Sequence, residues 1–173
     1  SPQPAPLDPD ATDLTLFQAD TDPLTTTDPR DDDSDGDGLI DGAEDSNFNG
    51  ARDGLETDPT KFDTDGDGMD DGWEVSYSSP GACDPAVGVQ MDPLDSGDGS
   101  ADIDGDGLTS LVEYQAVAAS GGVVLPNSTN PCDPDTDDDG LLDGVELNSH
   151  YTGGSSDPNR ADSDGDGLGD GVE

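Results

Sequence analysis

Positive charge is almost absent from this sequence. Its 173 residues include four Lys and Arg (Arg30, Arg52, Lys61 and Arg160) against 44 Asp and Glu, for a formal net charge of −40. So acidic a chain excludes nucleic acid and anionic membrane surfaces as partners, because both are polyanions. Aromatic residues make up 4% and hydrophobic residues of all kinds 28%. By composition the chain falls among disordered ones, with too little apolar surface to offset chain entropy. No apolar run reaches the length of a membrane span or a signal-peptide core. Histidine occurs once, at His150, and cysteine twice, at Cys83 and Cys132. That poverty argues against zinc chemistry, which wants nitrogen and sulfur ligands. No nucleophile stands beside His150, and the chain reads as non-enzymatic.

What is present is order among the acidic residues. Asp33, Asp35, Asp37, Gly38, Asp41 and Glu44 occupy the fixed positions of the twelve-residue pattern D-x-[DN]-x-[DN]-G-x5-E. Asp45, Asn47, Asn49, Gly50, Asp53 and Glu56 repeat it with no residue between. A third copy carries Asp63, Asp65, Asp67, Asp71 and Glu74, and a fourth Asp102, Asp104, Asp106, Ser110 and Glu113. The fifth has Asp135, Asp137, Asp139, Asp143 and Glu146, the sixth Asp162, Asp164, Asp166, Asp170 and Glu173. This is the spacing of a calcium loop. Ca²⁺ takes six to eight oxygens at about 2.3–2.6 Å, supplied by side chains at positions 1, 3, 5, 9 and 12 and by the carbonyl at position 7. Here those carbonyls belong to Leu39, Ala51, Met69, Leu108, Leu141 and Leu168. Glycine at position 6 admits a turn that a Cβ makes costly. The six loops predict six bound Ca²⁺ or more, standing in for the missing core.

A larger unit surrounds the loops. Thr27-Asp28-Pro29, Thr57-Asp58-Pro59, Thr129-Asn130-Pro131 and Ser156-Asp157-Pro158 each place Asp or Asn five residues before a loop's first Asp. Proline holds the preceding residue extended. The acidic or amide side chain there either adds an oxygen to a neighbouring ion or only builds a turn. With this composite repeat the sequence resembles the thrombospondin type 3 repeat family, in its bacterial calcium-binding form. The resemblance rests on residues 57–74 and 156–173 and on the loops at 33–56 and 135–146, about half the chain. It implies little regular secondary structure, a chain wrapped around a line of calcium ions, and a secreted, cell-surface or outer-membrane-associated location. The chain departs from the animal repeats in lacking their dense cysteines, and its loops start unevenly, 12, 18, 39, 33 and 27 residues apart.

A true EF-hand, with helices on both sides of each loop, is the rival. Gly42, Gly54, Gly72, Gly144 and Gly171 stand at position 10, where an exiting helix begins, and glycine costs about 1 kcal/mol in a helix interior. They argue against it. The fourth loop differs: residues 108–119 read as a helix ended by Gly121-Gly122. That segment also resembles half of a dockerin, but it lacks a partner half.

The expected fold is therefore a mostly irregular, calcium-stabilised repeat array with few short helices and strands. Residues 1–30 form an extended Pro/Asp-rich segment, a linker or an assembly strand carrying the strand-like run Leu14-Thr15-Leu16-Phe17. Residues 31–173 form the calcium-binding region, with inserts at 75–101 and 114–134. At the start of the first insert, Trp73, Val75 and Tyr77 alternate as a strand would, and in the second Val123-Val124-Leu125 is another candidate strand. Trp73 and Tyr77 are expected in a small apolar cluster beside a Cys83–Cys132 disulfide, or, with Tyr151, in an exposed binding patch. Asn127-Ser128-Thr129 is an N-glycosylation sequon, and Thr25-Thr26-Thr27 a weaker site for O-linked sugar. Ser1 suggests a mature or trimmed product, and an end on Glu173 suggests a native chain that continues. The function expected is an extracellular calcium-binding structural protein: a stalk, spacer or filament subunit, self-associating head to tail through its termini. A calcium-dependent adhesion module for a surface protein or glycan is the alternative, and a calcium reservoir the third.

Overall fold

Carboxylates that hold backbone set the architecture, loop by loop. The computed structural model describes residues 26–28, 30–78, 83, 90–115, 129–148 and 156–172. These fall into two compact units, one ending at Lys61 and one beginning at Phe62. In each loop the first Asp accepts from backbone N–H groups ahead of it. Asp63 takes Gly66 at 2.7 Å and Gly68 at 2.9 Å; Asp102 takes Gly105 at 2.7 Å and Gly107 at 3.2 Å. The third residue's carboxylate then accepts from the fifth residue's N–H, and the fifth's from the seventh's, as along Asp65, Asp67 and Met69. These bonds curl the chain through left-handed backbone, φ 103° at Gly68, which L side chains resist. Position 4 is also left-handed, and where it lacks glycine it strains Phe48 (φ 57°) and Asp138 (φ 61°).

The loop closes when the ninth residue's N–H donates to the carbonyl just before the loop. Asp41 reaches Asp32, Asp71 reaches Phe62, Ser110 reaches Ala101, Asp143 reaches Pro134 and Asp170 reaches Ala161, all at 2.8–3.2 Å. A short helix starts at that residue: α1 (Asp41–Glu44), α2 (Asp71–Tyr77), α3 (Ser110–Gln115), α4 (Asp143–Asn148), and a 3₁₀ turn at Asp170–Val172. A further 3₁₀ turn spans Asp98–Ser100 and packs against α3.

Glycine at position 10 therefore does not bar an exiting helix, and that expectation is corrected. Its role is close packing. A Cβ on Gly144 would collide with the carbonyl of Asp106, and one on Gly171 with that of Asp139. The N–H groups of Gly144 and Gly171 donate to those same aspartates' Oδ2, at 2.7 Å and 2.9 Å. The fifth and sixth loops are thus each keyed onto the loop before. The helices run only three to seven residues, far short of an EF-hand pair.

The expected strand at Trp73–Tyr77 is also corrected: these residues lie in α2. Spacing of four puts Trp73 and Tyr77 on one helical face as readily as on one strand face. Asp70 decides between them by capping α2, accepting from Trp73 N–H at 2.6 Å. No strand occurs among the described residues. The helix expected over 108–119 is seen as α3, with 116–119 outside the described residues, as are both Val123–Leu125 and Leu14–Phe17.

One apolar cluster forms in the second unit. Met69, Cys83, Met91 and Ile103 are buried, with Trp73, Tyr77, Leu111, Tyr114 and Cys132 packed around them. Trp73 meets Tyr77 and Tyr114 edge to face, with ring centroids 5.1 Å and 5.2 Å apart. The Cys83–Cys132 disulfide closes a separation of 49 residues. The largest buried side chains otherwise include acids: Asp71, Glu74, Glu113, Asp143 and Glu146.

Candidate metal sites

At the third position the carboxylate holds backbone with one oxygen and turns the other inward, as Asp65 and Asp104 do. Asp33, Asp35 and Asp37 bring one oxygen each within 4.8 Å of one another, as do Asp63, Asp65 and Asp67, and Asp102, Asp104 and Asp106. Oxygens sharing a Ca²⁺ at about 2.5 Å lie at most about 5 Å apart, so the spacing fits one ion. At the third position of four loops, Oδ2 of Asp35, Asp65, Asp104 and Asp137 is buried with no hydrogen-bond partner among the described residues. Both Oε atoms of Glu74 and Oε2 of Glu113 share that condition, on side chains with 0% exposure. Buried carboxylate oxygens without a donor are costly. A hard cation is the partner that oxygen-only donor sets suit.

Electrostatics register the same crowding. Burial, then the charges of Asp98, Asp67 and Asp65, push the Glu74 carboxyl up to about 9. Burial and Asp104 and Asp106 push Glu113 to about 8, and burial with Asp137 and Asp139 does the same for Glu146. Asp65, Asp104 and Asp137 rise to about 6, burial again leading.

Position 9 also braces its own loop. Asp71 accepts Thr64 N–H at 2.8 Å and Thr64 O–H at 2.6 Å; Asp41, Asp143 and Asp170 hold Ser34, Thr136 and Ser163 in the same way. Ser110 donates its hydroxyl to Ala101 instead, at 3.3 Å. These side chains brace the start of their own loop. At position 7, N–H groups bind the fifth-position side chain in all six loops, Ala51 to Asn49 among them.

The second loop differs from the rest. Asn47 Nδ2 donates to Asp53 and Glu56, Asn49 Nδ2 to Asp53, and Ser46 to Glu56. Hydrogen bonds from Asp53 N–H and Ser46 hold the Glu56 carboxyl below its usual range. Its acids are partnered within the loop. In the sixth loop Asp162 holds Gly165, Asp166 and Gly167, while Glu173, like Asn127, His150 and Tyr151, lies outside the described residues.

The residues before the loops build turns. Arg30, Thr60, Cys132 and Asn159 donate N–H to the side chains of Asp28, Asp58, Asn130 and Asp157, two residues back. The basic residues serve mixed ends. Lys61 pairs with Asp58 at 2.6 Å, while Arg52 and Arg160 donate to backbone carbonyls.

Sequence reading missed Asp98. It is buried, outside every loop, and joins Asp67 and Glu74 in a further acidic triad. The available signal was Met91-Asp92-Pro93, a turn start with Met in place of Ser or Thr. Comparison of the chain with family models, with curated proteins and with solved structures finds no match. What stands is an acidic array of Asp-rich clusters in mostly irregular structure, with several triads able to hold metal ions. No helix among the described residues is long and apolar enough to cross a membrane, and the disulfide points to an oxidising compartment.

Proposed function

We propose that this chain is an extracellular calcium-binding structural protein, a stalk, spacer or filament subunit that calcium makes rigid. The observation that carries this reading is the set of buried, unpartnered carboxylate oxygens on Asp65, Glu74, Asp104 and Glu113. Calcium supplies each with the partner that four basic residues are too few to give. The likeness to thrombospondin type 3 repeats belongs with this proposal, as does a location where calcium is millimolar and disulfides persist. With free calcium tenfold above Kd, each site adds about 1.4 kcal/mol. Six independent sites then add about 8 kcal/mol, comparable to the stability of a whole domain. Circular dichroism at the Trp73 band and small-angle scattering test it: chelation is expected to erase the first and expand the second. A fold indifferent to chelator ends the proposal.

The second reading, calcium-dependent adhesion, finds support in the first unit. Phe48 is 68% exposed beside a cleft of about 450 Å³ lined also by Thr26, Thr57 and Pro59. Trp73 and Tyr77 pack on the apolar cluster, the first of the two places expected for them. Loss of calcium-dependent glycan or protein capture in Phe48→Ala supports adhesion, and capture by no probe at all removes it.

A further inference from the structure

We propose a cation site that the six-loop pattern does not describe, in which Asp98, from outside every loop, joins Asp67 and Glu74 of the third loop, with residues 92–101 serving as a contracted repeat. The inference rests on reading the loops as calcium sites. One oxygen from each of the three carboxylates lies within 4.8 Å of the others, the span one Ca²⁺ shell covers. Glu74 is 0% exposed and Asp98 2%. Glu74 Oε1 and Oε2, Asp98 Oδ1 and Asp67 Oδ2 are buried without hydrogen-bond partners among the described residues. The stretch 62–115 contains no Lys, Arg or His to neutralise them. Three inward carboxylates and no cationic side chain in the surrounding sequence leave a metal ion as the fitting occupant.

The backbone around Asp98 explains how an insert delivers this ligand. In a full repeat, Asn130 carbonyl accepts Asp133 N–H and its side chain accepts Cys132 N–H. Asn130 N–H then donates to Thr136 Oγ1 at 2.9 Å, and that hydroxyl to Asp143 at 2.6 Å. Asp92 makes the same turn, accepting Asp95 N–H at its carbonyl and Leu94 N–H at its side chain. Its own N–H goes straight to Asp98 Oδ2 at 2.7 Å, and the intervening loop is gone. Gly99 follows Asp98 as Gly144 follows Asp143. A Cβ on Gly99 would collide with Asp67 Oδ2, just as one on Gly144 would collide with Asp106. Asp98-Gly99 therefore stands toward the third loop as Asp143-Gly144 stands toward the fourth. The difference is that Asp143 accepts at both oxygens, whereas Asp98 keeps Oδ1 for an ion.

The test compares the full chain with Asp98→Asn and, as an exposed control, Asp95→Asn, by native mass spectrometry and calcium calorimetry. Asparagine retains an oxygen to accept Asp92 N–H, so the turn is preserved. Asp98→Asn is expected to lose one tightly bound Ca²⁺, with about tenfold or greater weakening at that site. Its calcium-free melting temperature should equal or exceed wild type, because one crowded charge is gone. Asp95→Asn should match wild type in both. If Asp98→Asn binds as many ions as tightly as wild type, the inference is overturned while the calcium reading survives. Lower calcium-free stability with unchanged binding assigns Asp98 a structural role only and also overturns it. A wild-type chain that binds no calcium defeats both. Should Asp98→Asn lose its Trp73 near-UV signal even with calcium, Glu74→Gln, which leaves the Asp92–Asp98 bond intact, must lose the same single ion; full retention there overturns the site.

Discussion

A carboxylate buried among other acids keeps its proton well above the ordinary range, and that fixes how this protein should answer to pH. In the calcium-free fold, burial and neighbouring aspartates push Glu74 up to about 9 and Glu113 and Glu146 up to about 8. In the unfolded chain each returns to about 4.3. Between those values the folded state binds more protons than the unfolded one, so stability falls as pH rises. The metal-stripped protein should therefore melt at progressively lower temperature from about pH 5 to about pH 9. With saturating calcium the trend reverses at the acidic end, because protons compete with the ion for the same oxygens. Melting followed by near-UV dichroism in both states checks this. Parallel curves with and without calcium would show that these glutamates are not where the ion sits.

At the scale of the element, identical sequence positions meet different neighbours. Gly54 and Gly144 are both position-10 glycines, yet a Cβ on Gly54 meets nothing within 4 Å, while one on Gly144 would strike Asp106. In calcium, Gly144→Ala should cost about 2 kcal/mol by overpacking, and Gly54→Ala should stay within about 0.5 kcal/mol; urea denaturation of the two variants measures the difference. Equal effects would refute the keyed packing of loop on loop. The second loop offers a parallel contrast, since Asn47 and Asn49 already partner its acids. Its amides at Asn49 and Gly50 should exchange more slowly in chelator than those of Gly66 and Gly68, where Asp63, Asp65 and Asp67 repel. The loops themselves were legible because carboxylates that hold backbone at fixed spacing leave a fixed pattern of Asp and Gly. The helix at α2 was not, since Trp73 and Tyr77 satisfy periods of two and four alike. Nor was the demand on Gly144, which comes from a residue 38 positions away, or the place of Asp98 beside Asp67 and Glu74, which no twelve-residue loop marks.

For the whole molecule, apolar packing is unevenly spread along the chain. Composition alone foretold disorder, and the small cluster of Met69, Cys83, Met91 and Ile103 shows how little conventional core there is. That cluster and the Cys83–Cys132 bond gather around the third and fourth loops; the first, fifth and sixth have no comparable apolar support among the described residues. Closing a loop of this length is worth about 4 kcal/mol through the unfolded state. Calcium removal and disulfide reduction should therefore act in different places and compound. Chelator alone is expected to expand the protein while residues 83 to 132 stay looped. Chelator with reductant should carry the radius of gyration toward the ~44 Å of an unfolded chain of this length. Reductant in saturating calcium should leave the radius near its starting value and lower only the melting temperature. Scattering on the same sample under the four conditions decides it. A radius that responds to reductant but not to chelator would mean that the sulfur bridge and its few apolar neighbours, not the ions, hold the fold together.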